Sequence, residues 1–176
     1  MKILGIDPGT NILGYAIIET ENRQTQLVDS GILDLRRESK VFERLNLIFN
    51  FIDQLLDKFN IQEAAIESPF YGKNVQSMLK LGRAQGVAIA AIMHRDIPVF
   101  EYAPRKIKIA ITGNGNASKE QVARMLSTIL NVDLSDKKFD ETDAIAIALC
   151  HFYNRKTQES PSYSSWKDYA KRKGLI

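Results

Sequence analysis

The sequence predicts an α/β fold, a mixed five-stranded sheet with helices on both faces. Two observations predict it. Three consecutive apolar runs of strand length come first, and beyond them strands alternate with segments of helical apolar spacing. The first strand is expected at the centre of the sheet, because it is short and apolar and ends in Asp7.

KILGID (2–7) and NILGYAIIE (11–19) are Ile-rich runs joined by the turn residues Pro8 and Gly9, which reads as a hairpin. QLVDSGILDL (26–35) is the third strand. From Val41 to Phe59 apolar residues recur at 41/42, 45, 48/49, 52, 55/56 and 59, the spacing of an amphipathic helix packed on a sheet. IQEAAIES (61–68) is the next strand, and Asn74 to Met93 a Gly- and Ala-rich helix. DIPVFEY (96–102) is the fifth strand, and Pro104 starts a short helix. After the loop TGNGNAS, Ser118 with Gln121 three residues on forms a capping-box start for a helix to about Leu130. Asp140 to Tyr153 is the last helix. Residues 1–153 therefore read as one domain, and the polar, basic residues 154–176 as a tail.

At 176 residues the chain can bury a sizeable core, and 44% apolar with 26% charged residues is ordinary globular composition. No apolar run is long enough to span a bilayer and no signal-peptide layout is present. The single Cys150 lies on an apolar helix face and reads as a buried thiol in a cytoplasmic protein. The net charge of +3 is unevenly spread. Residues 1–70 hold 7 basic against 11 acidic residues, and residues 126–153 hold 2 against 5. Residues 71–125 hold 9 against 3, and the tail 6 against 2. Such a layout suits a polyanion held by the basic segments and cut by the acidic ones; a solvated charged surface is the plainer alternative.

Four acids on three segments carry the chemistry. Asp7 and Glu67 each end a strand, and Asp140 and Asp143 open the last helix, where a spacing of three puts them on one face. Brought together they would repel unless divalent cations lay between them. Hard oxygen donors suit Mg²⁺ or Mn²⁺, and a cation pair suits phosphodiester hydrolysis. Each acid also has a local reading. Asp7 could serve an Asx-turn, Glu67 could face solvent at a strand edge, and Asp140 and Asp143 could be helix caps. Glu141 is expected to point away from the site. The D-x-G-T of residues 7–10 also matches the phosphate loop of actin-like ATPases, which need a second lobe that this length hardly accommodates.

Around the acids lie candidate DNA contacts. Phe70, Tyr71 and Lys73 share the loop after Glu67, where an aromatic could stack on an unpaired base or be partly buried. Lys108 and Lys119 flank the TGNGN loop, as phosphate partners or as solvated surface lysines; Gly113 and Gly115 would let that loop approach a phosphate. His94 and His151 have no ligand spacing and read as surface or structural residues. Gly82 and Gly86 make one helix face small, for packing either on the sheet or on a second copy.

The motifs GIDPGTNILGYAII, AIESPFYGKN, LKLGRAQGVA, VFEYAPRKIK, TGNGNASKEQV and DETDAIAIALCH, in this order and separation, resemble the RuvC family of Holliday-junction resolvases over roughly residues 1–152. The resemblance implies a ribonuclease H-like fold and a homodimer. It implies Mg²⁺-dependent paired nicking of four-way DNA junctions in recombination and repair, with two ions per subunit and Mn²⁺ as a substitute. It implies that Asp7, Glu67, Asp140 and Asp143 bind the metal, that Phe70 engages bases at the crossover, and that Lys108 and Lys119 are functional. The RuvAB branch-migration complex is the implied partner. A junction-binding protein without catalysis is the rival reading.

Overall fold

A computed structural model describes residues 1–22, 24–69 and 74–159, with side chains to Arg155. The strands are β1 (Lys2–Asp7), β2 (Ile12–Glu21), β3 (Gln24–Asp34), β4 (Glu63–Glu67) and β5 (Val99–Tyr102). The helices are α1 (Val41–Lys58), α2 (Val75–Met93), α3 (Pro104–Thr112), α4 (Lys119–Leu130) and α5 (Phe139–Glu159). The sheet order is β3-β2-β1-β4-β5, so the expected central strand is central. β1 runs antiparallel to β2 and parallel to β4, which makes the sheet mixed.

Strand alternation sorts the two faces. Leu4, Ile6, Leu13, Ile17, Ala64 and Ile66 point to one side, where Ile48, Ile52 and Leu55 of α1 and Ala84, Ala88 and Ile92 of α2 cover them. Ile3, Ala16, Ile18 and Ala65 point to the other, under α3, α4 and α5. Asp7 and Glu67 are in phase with Ile3 and Ala65, so both belong to the α5 face. Parallel pairing of Ile6 with Ile66 then ends β1 and β4 with these two acids side by side.

At two glycines of β1 and β2, α5 comes down onto the strand backbone. A Cβ on Gly5 would sit 2.2 Å from the Ala144 carbonyl oxygen and 2.9 Å from the Ala148 Cβ. On Gly14, the partner of Asp7 across the hairpin, it would sit 1.9 Å from the Asp140 carbonyl oxygen. Ala144, Ala146 and Ala148 are buried at this contact. Only glycine permits so close an approach.

The farther end of α5 is tied down by polar contacts. His151 is fully buried and stacks on Phe100, with ring centroids 4.4 Å apart. Its Nδ1 is 2.8 Å from the Tyr102 hydroxyl and its Nε2 2.8 Å from Glu63, which also accepts from Arg155 at 3.0 Å. Burial holds the imidazole below its ordinary pKa despite Glu63. A neutral ring then accepts from Tyr102 and donates to Glu63, the structural role expected of His151. His94 is exposed. Cys150 is buried as expected, and burial pushes its thiol up to about 11.

One expectation changes, and two of the open alternatives fall away. α5 runs to Glu159, so residues 154–159 of the expected tail are helical. Asp140 does not cap α5: the helix begins at Phe139, and the Lys138 carbonyl accepts the first helical bonds, from Glu141 and Thr142. Gly82 and Gly86 do not pack on the sheet, since a Cβ on either meets nothing within 4 Å. Among the described residues no helix is long and apolar enough to cross a membrane.

Candidate active site

The C-terminal ends of β1 and β4 and the first turns of α4 and α5 meet at one edge of the sheet. There a cleft of about 280 Å³ is lined by Asp7, Glu67 and Asp143, by Lys108 and Lys119, and by an apolar wall including Ile107 and Val122. A second cleft of about 140 Å³ lies across Asp7 and Glu67, against Pro8, Pro69, Leu81 and Gln85. The two acids form the ridge between them. A Cβ on Gly9 would lie 1.9 Å from the Ile12 carbonyl oxygen, so the turn after Asp7 requires the glycine.

Electrostatics mark these carboxylates as a group. Burial, with the charges of Asp143 and Glu67 added, pushes Asp7 up to about 7. Burial and Asp143 likewise raise Glu67, against the opposing pull of Lys119 and Lys108. The Lys119 ammonium donates to Asp143 Oδ2. Burial alone would lower the Lys119 pKa, but the Asp143 hydrogen bond and the charges of Asp143, Asp7 and Asp140 raise it above its ordinary value. Two like-charged acids with raised pKa values and a cation held on a third oppose a purely structural role for them.

Local structure delivers each group. Ser118 and Gln121 form the expected capping box, which sets the start of α4 and therefore Lys119. Gly113 closes α3 with φ 73°, and a Cβ on Gly115 would strike the Arg105 side chain at 2.7 Å. Gly115 thus makes room for Arg105. Glu141 turns from the site as expected: it is buried, accepts from Ser30 at 2.7 Å and is bonded by Lys137.

Asp7, Glu67 and Asp143 are brought together. Asp140 is half-buried at the margin, outside the cleft lining, and its charge is the least of the carboxylate influences on Asp7. Lys108 and Lys119 line the cleft. Phe70, Tyr71 and Lys73 lie outside the described residues. Sequence reasoning missed Gln85, which is buried and donates to the Glu67 carbonyl at 3.2 Å, tying the end of β4 to α2. A lone Gln among the small residues of α2 was the available signal. It also missed Gly5 and Gly14, which let α5 bring Asp143 to Asp7.

No three of these donors close into a ready-made chelate among the described residues. The donor set still fits a hard divalent cation. It is all oxygen, its anionic charge is concentrated and partly buried, and one member already holds a cation.

A ribonuclease H-like α/β fold with an acidic cleft at the ends of its central parallel strands defines a class of metal-dependent nucleases. The chain matches the family described as "Crossover junction endodeoxyribonuclease RuvC" over residues 3–151. It is 53% identical to the protein of that name from Christiangramia forsetii over 171 residues, covering 97% of this chain and 89% of the relative. The Bacteroides fragilis protein of the same name is 50% identical, with 95% and 90% covered. The RuvC structure of Thermus thermophilus superposes with a TM-score of 0.81 at 28% identity, over 90% of this chain and 97% of that one. The T. thermophilus RuvC in complex with a Holliday junction substrate gives 0.80 at 26%, over 89% and 96%. The chain belongs to the RuvC family of crossover junction endodeoxyribonucleases.

Proposed function

We propose that the protein resolves four-way DNA junctions in recombination and repair, by Mg²⁺-dependent hydrolysis of two opposed strands. The observation that carries this is the convergence of Asp7, Glu67 and Asp143 on one cleft, with Lys108 and Lys119 on its walls. Asp7, Glu67 and Asp143 would hold two divalent ions, with Asp140 reaching in from the rim and Mn²⁺ serving in place of Mg²⁺. Bound divalent ions supply activated water and positive charge for the departing oxygen. Asp7 lines both clefts and would contribute to holding either ion. Lys119, which donates to Asp143, and Lys108 on α3 would hold the phosphate and offset the charge that develops on it. The products carry 5′-phosphate and 3′-hydroxyl ends. Phe70 engages bases at the crossover, and Tyr71 and Lys73 contact the DNA from the same loop.

Paired cuts need two sites, and a two-fold dimer presents two. The outward face of α2 suits that contact. Val75, Leu79 and Met93 are 67%, 60% and 60% exposed, and Gly82 and Gly86 lie open on the same helix. The basic tail adds non-specific DNA affinity, the RuvAB branch-migration complex is the working partner, and the cytoplasm is the place of action.

The test is incubation with a synthetic mobile junction, with and without Mg²⁺, reading product ends and cut symmetry on a denaturing gel. Symmetric, ligatable nicks that require Mg²⁺ support the reading. Binding without cleavage at any Mg²⁺ or Mn²⁺ concentration leaves a junction-binding protein instead.

A further inference from the structure

We propose that junction DNA continues past the acidic ridge into a third cleft, between α1 and α2, where Lys80 and Arg83 hold its phosphate backbone. This rests on the DNA-cutting function above and extends its binding surface to residues not assigned there.

The cleft is shallow, about 40 Å³, with an apolar floor from α1 and α2. Its polar lining is Thr10, Arg44, Lys80 and Arg83, three cations and no carboxylate. Arg44 is already engaged. It donates to the Thr10 carbonyl at 3.1 Å, to Asn11 Oδ1 at 3.3 Å and to the Glu38 carbonyl, pinning the turn that follows Asp7. Lys80 and Arg83 take part in none of the ion pairs among the described residues.

The cleft adjoins the site across one turn of the chain. Leu81 and Gln85 line the cleft beside Asp7 and Glu67, and Lys80 and Arg83 stand on the same two turns of α2. Pro8 lines one cleft and Thr10 the other, so the Asp7–Asn11 turn separates them. β1, β3 and β4 run in the same direction, so α1 and α2 both leave the sheet edge where Asp7 and Glu67 end. Three clefts lie at that edge: Lys108 and Lys119 line the first together with the carboxylates, Asp7 and Glu67 also line the second, and Lys80 and Arg83 line the third.

Carboxylates with cations in the clefts around them fit a polyanion that is both held and cut. A phosphate strand is repelled by carboxylates and is held against them only by positive charge on either side. Phe42, 80% exposed and next to Val41 of the cleft floor, adds an aromatic face of the kind on which a base stacks. An acidic peptide would use the same cations but gains nothing from a neighbouring nuclease cleft.

Two measurements test this. The double variant Lys80→Gln/Arg83→Gln is compared with wild type for junction binding in EDTA at several salt concentrations. Expected are about tenfold weaker binding and a salt slope shallower by about 2, as two phosphate contacts are lost. Lys58→Gln, at the far end of α1, should bind as wild type. Because Lys80 and Arg83 neighbour the exposed α2 face, the unaltered protein is also acetylated with and without junction DNA. Lys80 should be protected by DNA and Lys58 not. Unchanged affinity and slope, or Lys80 acetylation indifferent to bound DNA, overturns the inference. Protection of Lys80 by polyglutamate but not by DNA would make the cleft a peptide site. A wild-type protein that binds no junction overturns the junction-resolving function itself, and this inference with it.

Discussion

The two faces of the sheet are covered in opposite ways. On one, α5 meets the backbone of β1 and β2 at two glycines. On the other, α1 and α2 stand off on Leu and Ile side chains, and α2 leaves an apolar and glycine face open. The first arrangement fixes the position of a helix that carries two acids. The second leaves surface for other molecules. Rigidity therefore lies where charges must converge, and unfilled surface where partners are expected.

The largest expected effect is on the close-packed side. Asp7→Asn keeps size and turn-forming ability but removes the charge that metal binding needs. Single-turnover junction cleavage should fall on the order of 10³-fold or more while gel-shift affinity persists. Cleavage within about tenfold of wild type would reduce Asp7 to a turn residue. The same variant tests the electrostatics. Native Asp7 keeps its proton up to about pH 7, whereas the unfolded chain loses it near the ordinary aspartate value of 3.8. The native state thus binds more protons across that window, and stability falls as pH rises through it. In EDTA, Asp7→Asn should melt higher than wild type above pH 7, by at most about 4 kcal/mol, with the gap closing below about pH 4. A gap independent of pH would contradict the raised pKa.

Gly14→Val attacks the helix–sheet contact without touching a carboxylate. Its Cβ would fall on the Asp140 carbonyl oxygen, so α5 must shift. We expect a loss of about 1–3 kcal/mol in urea unfolding and about 10²-fold slower cleavage. Normal cleavage would mean that the exact seat of α5 is unimportant. On the open side, Gly86→Arg should leave the fold intact, since nothing among the described residues occupies that space, and separate the proposed dimer. Sedimentation should show a monomer, and paired nicks should become uncoordinated. A dimer that survives would move the interface off α2.

The smallest effect on activity is expected from His151→Ala. It leaves Tyr102 and Glu63 without their shared partner and should cost about 2–3 kcal/mol of stability. Cleavage measured well below the melting temperature should stay within about threefold, because the network lies away from the cleft. A larger loss would join the two ends of α5 into one functional unit.

How much was legible follows from range along the chain. Strand alternation and helical spacing are local, so the five strands, their central member and the main helices could be read directly. The capping box at Ser118 and Gln121 needed only four residues. Asp7, Glu67 and Asp143 stood out because an acid at the end of an apolar run has few structural uses. The seating of α5 was not legible. Gly5 and Gly14 look like ordinary strand glycines until Ala144, Ala148 and the Asp140 carbonyl arrive from more than a hundred residues away. Asp140 resembled a cap because its side chain suits one, yet the helix starts one residue earlier. Gln85 and the outward turn of Gly82 likewise depend on which side of α2 meets the sheet.

Cys150 gives the close-packed helix a built-in reporter. It is the only cysteine, it is fully buried, and it lies two turns beyond Asp143 on α5. A thiol reagent can reach it only when α5 lifts from the sheet or the whole domain opens. Modification rates at low denaturant therefore measure how often that helix detaches, as a free energy distinct from global unfolding. If the metal site needs α5 seated, divalent ions should slow labelling of a thiol they never touch.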